Sequence, residues 1–241
     1  MDPSSQPPAR RRLVVALDGP GSSGKSSVGA AAARRLGYRF CDTGLLYRAL
    51  TWLALHRGLA MNDGPALAAA AGHVELAPDA DGRLGRVVVS GRDVTSDVHS
   101  PAVDERVSEV ARLPEVRAAL LDRQRRIAAP GGIIMAGRDI GSVVLPDADL
   151  KLYLDASVEE RARRRTEQWG LAPDGSEAAE ILAELRRRDT IDSTRSVAPL
   201  RIADDALVII SDGHDFEETV DMVEAAILDA ESDAAAAADR G

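Results

Sequence analysis

Short apolar runs alternate along the chain with longer stretches in which apolar residues recur every three or four positions. The runs predict buried β-strands, and the periodic stretches predict amphipathic helices. The predicted strands are 13–17, 38–42, 132–137, 150–155 and 206–211, and the clearest predicted helices are 25–36, 43–58 and 216–230. Because strands and helices take turns in this way, the pattern favours a parallel sheet covered by helices on both faces.

Three segments depart from this alternation. Residues 73–96 contain two β-rich runs with a polar turn near Asp81-Gly82, which predicts an antiparallel hairpin inserted into the α/β core. The ends of the chain, 1–12 and 231–241, are rich in small and polar residues and are predicted to be disordered tails. We therefore predict a single domain over 13–230.

Composition narrows the class of protein. The chain has 241 residues, 45% of them hydrophobic, which suits one domain with a substantial core. A net charge of −9 argues against nucleic acid as a partner, since the phosphate backbone requires a basic surface. The absence of a secretory signal, of a membrane-length apolar run and of any second cysteine besides Cys41 predicts a cytoplasmic protein without a membrane partner. No exposed apolar stripe is evident, and a monomer is expected.

A glycine-rich loop joins the first predicted strand to the first predicted helix. Its spacing, G-x-x-x-x-G-K-S, is that of a P-loop, in which backbone N–H groups surround phosphate oxygens at a helix N-terminus. Lys25 is expected to contact the β- and γ-phosphates, and the Ser26 hydroxyl to bind Mg²⁺. The predicted ATP-binding residues of the loop are Gly19, Pro20, Gly21, Ser22, Ser23, Gly24, Lys25, Ser26 and Ser27.

The loop alone leaves the acceptor of the phosphoryl group open, because switch GTPases, ATPase motors and small-molecule kinases share it. The other lysine, Lys151, lies in an apolar run, so the N-K-x-D sequence that reads guanine is absent. Charged residues follow two further strands: Arg48 in the helix after the second, and Arg138-Asp139 after the third. Ligands of such sheets bind beyond the carboxyl ends of the strands, which favours a functional interpretation of Arg138-Asp139.

Two arginine-rich helices lie in the C-terminal half. Arg188, Asp192 and Arg195 have helical spacing that puts them on one face, and a second cluster covers 159–165. They are interpreted either as solvated helices with ion pairs, or as a lid that brings arginines to the migrating phosphoryl group.

Several motifs, in order along most of the chain, resemble those of bacterial cytidylate kinases, which are P-loop nucleoside monophosphate kinases. They are DGPGSSGKSS, CDTGLLYRAL, VSEVARLPEVRAALLDRQR, AGRDIGSVVLPDADLKLYLDAS, EERARRR and RRRDTIDSTRSVAPL. The resemblance implies a three-layer P-loop NTPase fold with a five-stranded parallel sheet. It also implies a small antiparallel β insert in the region that binds the nucleoside monophosphate, over about 62–100, and a helical lid over about 160–195.

The resemblance further implies phosphoryl transfer from ATP, with Mg²⁺, to CMP or dCMP. Residues of the matched motifs take implied roles: cytosine would be contacted by Ser108, Arg117 and Asp139, and the acceptor phosphate by Arg48, Arg138 and Arg195. The sugar would be contacted by Arg188 and Asp192, Thr43 would lie in the same substrate site, and Arg163 would bind on the ATP side. The implied catalytic residues are Lys25, Arg138, Arg188 and Arg195. Two alternatives stay open. One is a P-loop kinase for UMP, AMP or a small metabolite, and the other is a nucleotide switch or nucleic-acid-binding module that uses the arginine helices.

Overall fold

Five parallel strands form the central sheet of the computed structural model, which describes residues 12–238. The strands are β1 (Val14–Asp18), β2 (Arg39–Asp42), β6 (Ile133–Gly137), β7 (Leu150–Asp155) and β8 (Leu207–Ile210). Across the sheet they lie in the order β2-β6-β1-β7-β8, and every neighbouring pair is parallel. The predicted parallel sheet is confirmed, and all five carboxyl ends meet at one edge.

Helices cover both faces of this sheet. They are α1 (Lys25–Leu36), α2 (Gly44–Arg57), α3 (Gly64–Ala70), α4 (Pro101–Ala111), α5 (Pro114–Ala128), α6 (Val158–Gln168), α7 (Ser176–Thr194) and α8 (Phe216–Ala238). On one face α1 and α8 pack with the apolar side chains of β1, β6 and β7. On the other face α5 packs over a core that includes the buried Cys41.

A second, antiparallel sheet stands where the hairpin was predicted, but it has three strands: β3 (Val74–Ala77), β4 (Arg86–Val89) and β5 (Arg92–Asp93). The run expected to form a single second strand folds back at Ser90 and Gly91, whose φ angles are 49° and 82°. Positive φ at both central residues is the signature of a tight hairpin turn. Together with α2, α3, α4 and α5, the small sheet encloses a separate apolar core, and we call residues 44–128 the acceptor-side region.

The C-terminal helix is longer than predicted. The expectation of a disordered tail from residue 231 is wrong as far as Ala238, because α8 continues to that residue. Glu231 is buried there and accepts a hydrogen bond of 2.7 Å from the Tyr38 hydroxyl, which itself accepts one from the Leu13 backbone N–H. Alanine favours the helix, so the alanine-rich end extends it. The predicted tail residues 1–11 and 239–241 lie outside the described residues.

Helices α6 and α7 pack against each other and form the α6–α7 pair, in the segment where a lid was predicted. Their shared core consists of Ala162, Ile181 and Leu185. Within residues 12–238, no helix has the length and apolar character needed to cross a membrane.

One edge of the central sheet is apolar and exposed. Leu207 and Ile210 of β8 are 51% and 50% exposed, and Val208 is also exposed. This differs from the absence of an exposed apolar stripe on which the expectation of a monomer rested. The sequence does not reveal this stripe, because residues 207–210 are all apolar, as they are in a fully buried strand.

Candidate active site

A cavity of about 710 Å³ opens at the carboxyl edge of the central sheet. Its walls come from the P-loop, the start of α2, helix α4, the loop after β6, and the α6–α7 pair. Among the predicted site residues that line it are Lys25, Ser26, Thr43, Arg48, Ser108, Arg117, Arg138, Asp139, Arg163, Arg188, Asp192 and Arg195. The fold therefore gathers side chains that are far apart in the sequence around one space.

The P-loop has the backbone that its glycines predict. A Cβ atom at Gly19 would lie 2.2 Å from the Leu154 carbonyl oxygen, so the close approach of this loop to β7 requires glycine there. Gly24, with φ 89°, turns the chain into α1 at its left-handed N-cap. Ser22 takes a positive φ of 61° without being glycine. Such strain in a residue that has a side chain is typical of functional loops.

Two buried polar atoms beside this loop have no partner. Among the described residues, the Ser23 hydroxyl and Arg188 Nε are buried without a hydrogen bond. An unpaired buried donor costs about 1–3 kcal/mol, so both atoms favour a ligand that accepts hydrogen bonds. Burial, followed by the nearby positive charges of Arg138 and Arg48, lowers the pKa of Arg188 to about 10. A bound anion would remove this penalty.

Lys25 is in a similar electrostatic position. Its ammonium group is buried and donates a 2.8 Å hydrogen bond to the Pro20 carbonyl. Burial, together with the charge of Arg138, holds the Lys25 pKa well below its ordinary value. A triphosphate would supply the negative charge that favours the protonated form of Lys25.

Oxygen ligands suited to a hard cation lie at the start of α1. The Ser26 hydroxyl donates a 2.5 Å hydrogen bond to Asp42 Oδ2 at the end of β2. A hydroxyl beside a carboxylate is a donor set that fits Mg²⁺. Next to Asp42, the Thr43 hydroxyl donates to the Ala136 carbonyl at 2.9 Å and ties β2 to β6.

The loop that carries Arg138 and Asp139 is anchored by Asp18 at the end of β1. The Asp18 carboxylate accepts hydrogen bonds from the backbone N–H groups of Ile140 and Gly141, at 2.7 and 2.8 Å. Burial raises the pKa of Asp18 to about 6, against the lowering effect of these two bonds. Asp18 therefore fixes the position of the Arg138 loop relative to the P-loop.

The residues predicted to contact cytosine lie together at the acceptor-side end of the cavity. Arg117 forms an ion pair with Asp139, and both side chains are buried. The Arg117 guanidinium also lies 5.5 Å from the ring centre of Tyr47. Ser108 also lines the cavity and is only 4% exposed. A buried pair of donors and acceptors beside an aromatic ring suits a flat, polar base.

The end of α7 brings the last predicted residues to the same place. Asp192 accepts a 2.9 Å hydrogen bond from Arg138 Nε. Burial acts to raise the pKa of Asp192, but Arg138 and Arg195 hold it below its ordinary value. Arg195, immediately after the helix, donates to the Ala198 carbonyl at 2.6 Å and to Asp139 at 3.4 Å. Ala198 has a positive φ of 51°, so a strained turn orients Arg195.

Comparison with known proteins decides the family. The family model described as cytidylate kinase matches residues 15–228. The chain belongs to the cytidylate kinase family. A cytidylate kinase from Roseiflexus castenholzii is 48% identical over 90% of this chain and 94% of its own length. One from Mycobacterium avium is 44% identical over 90% and 92%, and one from an Exiguobacterium species is 48% identical over 82% and 88%.

Solved structures add only a distant likeness. A gluconokinase from Sinorhizobium meliloti superposes with a TM-score of 0.48 at 14% identity, over 93% of this chain and 97% of that one. Family membership by itself confirms the resemblance predicted from the sequence and identifies the chain as a kinase.

Within this cavity, Arg163 differs from the other predicted site arginines. Although it borders the cavity, it pairs with Glu160 and Glu167 on its own helix, and its side chain is 52% exposed. Its neighbour Arg161 is buried instead, and donates to the Gly21 carbonyl of the P-loop at 2.9 Å and to Asp189 at 2.6 Å. Arg161 thus joins α6 both to α7 and to the backbone of the P-loop.

Two further residues of the kinase site were not singled out from the sequence. Arg165 donates to the Ser22 hydroxyl at 3.1 Å and to Asp104 at 2.6 Å. Asp104 also accepts a 2.5 Å hydrogen bond from Arg48. Arg165 lies in the recognised arginine cluster, and only helix phase distinguishes it from Arg163. Asp104 stands in the polar run VDER, which has no signal separating it from a solvated helix face.

Proposed function

We propose that this chain transfers the terminal phosphoryl group of ATP to CMP or dCMP, which yields ADP and CDP or dCDP. The observation that carries the proposal is the single cavity in which a P-loop faces the buried Arg117–Asp139 pair across several arginines. Family membership supports the same acceptors. ATP would occupy the P-loop, and the acceptor base would lie against Arg117, Asp139 and Ser108.

The acceptor phosphate needs no general base in this proposal. A phosphate monoester has a second pKa of about 6, so its attacking oxygen is already mostly ionised at neutral pH. The main obstacle is repulsion between two anions, which Lys25, Arg138 and Arg195 would neutralise while they hold the groups in line. Mg²⁺, held by the Ser26 hydroxyl together with the nucleotide, would supply further positive charge at the phosphates. The α6–α7 pair would exclude water as a competing acceptor.

ADP release from ATP and Mg²⁺ tests the proposal, with CMP, dCMP, UMP, AMP, GMP or no acceptor. We expect strong turnover with CMP and dCMP, weak turnover with UMP, and none without an acceptor. Strong turnover with another monophosphate would reject the cytosine contacts, and hydrolysis without an acceptor would reject the kinase mechanism. Salt-sensitive retention of RNA would support a nucleic-acid-binding module instead.

Two variants test the phosphate machinery. Lys25→Ala should nearly abolish turnover, and Arg138→Ala should lower kcat/KM at least about 100-fold, as expected for a lost charge contact in the transition state. Circular dichroism should show that both variants remain folded. An effect of only a few-fold for Arg138→Ala would remove that residue from the mechanism.

The proposal also covers the setting in which the enzyme works. We propose a cytoplasmic enzyme whose partners are its small-molecule substrates, supported by the acidic net charge of −9 and by a single cysteine. Whether it is a monomer is open to measurement, since β8 exposes apolar side chains. Sedimentation velocity of the full chain measures the oligomeric state directly.

A further inference from the structure

Three guanidinium groups converge on one carboxylate inside the cavity. Asp104 of α4 lies 2.5 Å from Arg48 of α2, 2.6 Å from Arg165 of α6 and 3.8 Å from Arg188 of α7. We call Arg48, Arg165 and Arg188 the arginine trio. Burial acts to raise the pKa of Asp104, but the charges of the trio hold it below its ordinary value, so the carboxylate is ionised at neutral pH.

The trio lies between the donor and acceptor sides of the cavity. Arg165 also contacts Ser22 of the P-loop, on the donor side. Arg48 belongs to the helix that follows Asp42 and Thr43, on the acceptor side. Arg188 carries the unpartnered, buried Nε atom described above. One carboxylate therefore faces three positive charges and leaves a buried donor unsatisfied, which is an environment suited to an anion of higher charge.

We propose that the Asp104 carboxylate is an internal competitor for phosphate: it holds the arginine trio in the unliganded protein and is displaced when a substrate phosphate binds there. The identity of that phosphate as part of a nucleotide rests on the proposed function. Carboxylate and phosphate both accept paired hydrogen bonds from guanidinium groups. A phosphate monoester carries nearly two negative charges at neutral pH and has three acceptor oxygens, so it replaces the single carboxylate as the partner of the arginines.

The competition has a structural consequence for the α6–α7 pair. The Arg165–Asp104 and Arg188–Asp104 contacts connect that pair to α4, and Arg187 adds a 2.8 Å hydrogen bond to the Glu105 carbonyl. In the unliganded protein Asp104 keeps the pair seated against the acceptor-side region. Each substrate must then displace a contact before it makes its own, which weakens its apparent affinity.

Asp104→Asn is the first test, because it removes the charge and keeps the shape. We expect the variant to bind CMP about tenfold more tightly than the wild type, since it no longer has to break charge-assisted hydrogen bonds, and tenfold corresponds to about 1.4 kcal/mol. Titration calorimetry measures the dissociation constant. The matched control is Glu105→Gln, which removes one negative charge from the adjacent, exposed position of the same helix and should change CMP affinity by less than about twofold.

Inorganic phosphate provides a probe that does not depend on the nucleotide. Trp169 lies 4.6 Å from the Arg165 guanidinium, so its fluorescence reports movement of that side chain. Phosphate should change this fluorescence at a lower concentration in Asp104→Asn than in the wild type. If the wild type phosphorylates no monophosphate while the phosphate arm behaves as expected, the proposed function fails and the competition stands.

Weaker or unchanged binding of both CMP and phosphate by Asp104→Asn would overturn the proposal and make Asp104 a residue that positions Arg48.

Because the freed arginines repel one another, the variant is expected to be less stable, and Asp104→Ser serves as a second variant. Phosphate should raise the melting temperature of both more than that of the wild type. If neither variant folds even with phosphate present, Asp104 is a structural residue and the proposal is rejected.

Discussion

The acceptor-side region and the α6–α7 pair face each other across the cavity, and they are held in place by different forces. The acceptor-side region encloses twenty-one buried hydrophobic residues. The core of the α6–α7 pair contains only three buried hydrophobic residues, Ala162, Ile181 and Leu185. Charged groups join the pair to the rest of the molecule. Apolar burial is indifferent to ligands, whereas ion pairs can be exchanged for contacts with phosphate. The comparison therefore separates a wall of the cavity that is held by apolar burial from one that is held by ion pairs, and we predict that substrates move only the second.

Matched leucine truncations test this contrast with the largest expected effect. Leu50 of α2 and Leu185 of α7 are both fully buried. Leu50→Ala should lower the free energy of unfolding by about 3 kcal/mol, within the 2–5 kcal/mol usual for such cavities. Leu185→Ala should lower it by less than about half of that, because the α6–α7 pair can open locally without global unfolding. Urea denaturation measures both losses.

Hydrogen exchange distinguishes local from global opening in the same two variants. Leu185→Ala should speed exchange in α6 and α7 alone, whereas Leu50→Ala should speed it throughout the protein. Equal losses of stability with uniform exchange would show that both regions unfold as one unit, and the contrast would fail.

The pH dependence of stability tests Asp18, which holds the loop after β6 at the floor of the cavity. Burial raises the pKa of Asp18 to about 6 from its ordinary 3.8, so its carboxyl group binds a proton more tightly in the folded state than in the unfolded state. The corresponding stability is fully present below about pH 4 and is lost as the pH rises through 6, a change of up to about 3 kcal/mol. Asp18→Asn lacks this titration and is the control. If the wild type instead gains stability relative to Asp18→Asn as the pH rises from about 4 to 6, the pKa of Asp18 is not raised in the folded state.

A pair of neighbouring arginines sharpens the contrast within α6. Arg161→Ala breaks the buried link to Gly21 and leaves Asp189 unpaired. We expect kcat/KM to fall about 100-fold, which corresponds to about 2.7 kcal/mol. Arg163→Ala removes only exposed pairs on the same helix and should cost less than about threefold. Equal losses in steady-state assays would support the role of Arg163 at ATP that the sequence predicts.

Regular elements of this fold were predictable where one physical signal dominates. The strand–P-loop–helix unit is specified by an apolar run, by glycines at fixed spacing and by Lys25, and its helix has the predicted bounds 25–36. The functional importance of the loop after β6 was predictable because burying an Arg-Asp pair at the end of a strand is costly unless the charges are used. Both signals are local, so a single sequence contains them.

Elements that depend on tertiary contacts were not predictable in the same way. The last part of α8 is stabilised by the hydrogen bond from Tyr38 to Glu231, a contact between residues far apart in the chain. The choice of Arg161 over Arg163 depends on which face of α6 meets the P-loop. Asp104 lies in the polar run VDER, and its contacts with three arginines are visible only once α2, α6 and α7 surround it.

Salt provides the test with the smallest expected effect, and it acts on the charged contacts alone. The screening length falls from about 10 Å at 0.1 M salt to about 3 Å at 1 M, which weakens partly exposed ion pairs more than apolar packing. Hydrogen exchange in α6 and α7 should therefore speed up as sodium chloride rises from about 0.1 to 1 M, while α2 and α5 keep their protection. Asp104→Asn should show a smaller salt effect, because it lacks the central charge of the arginine trio. A salt response of the same size in α2 as in α7 would mean that charge does not distinguish the two walls.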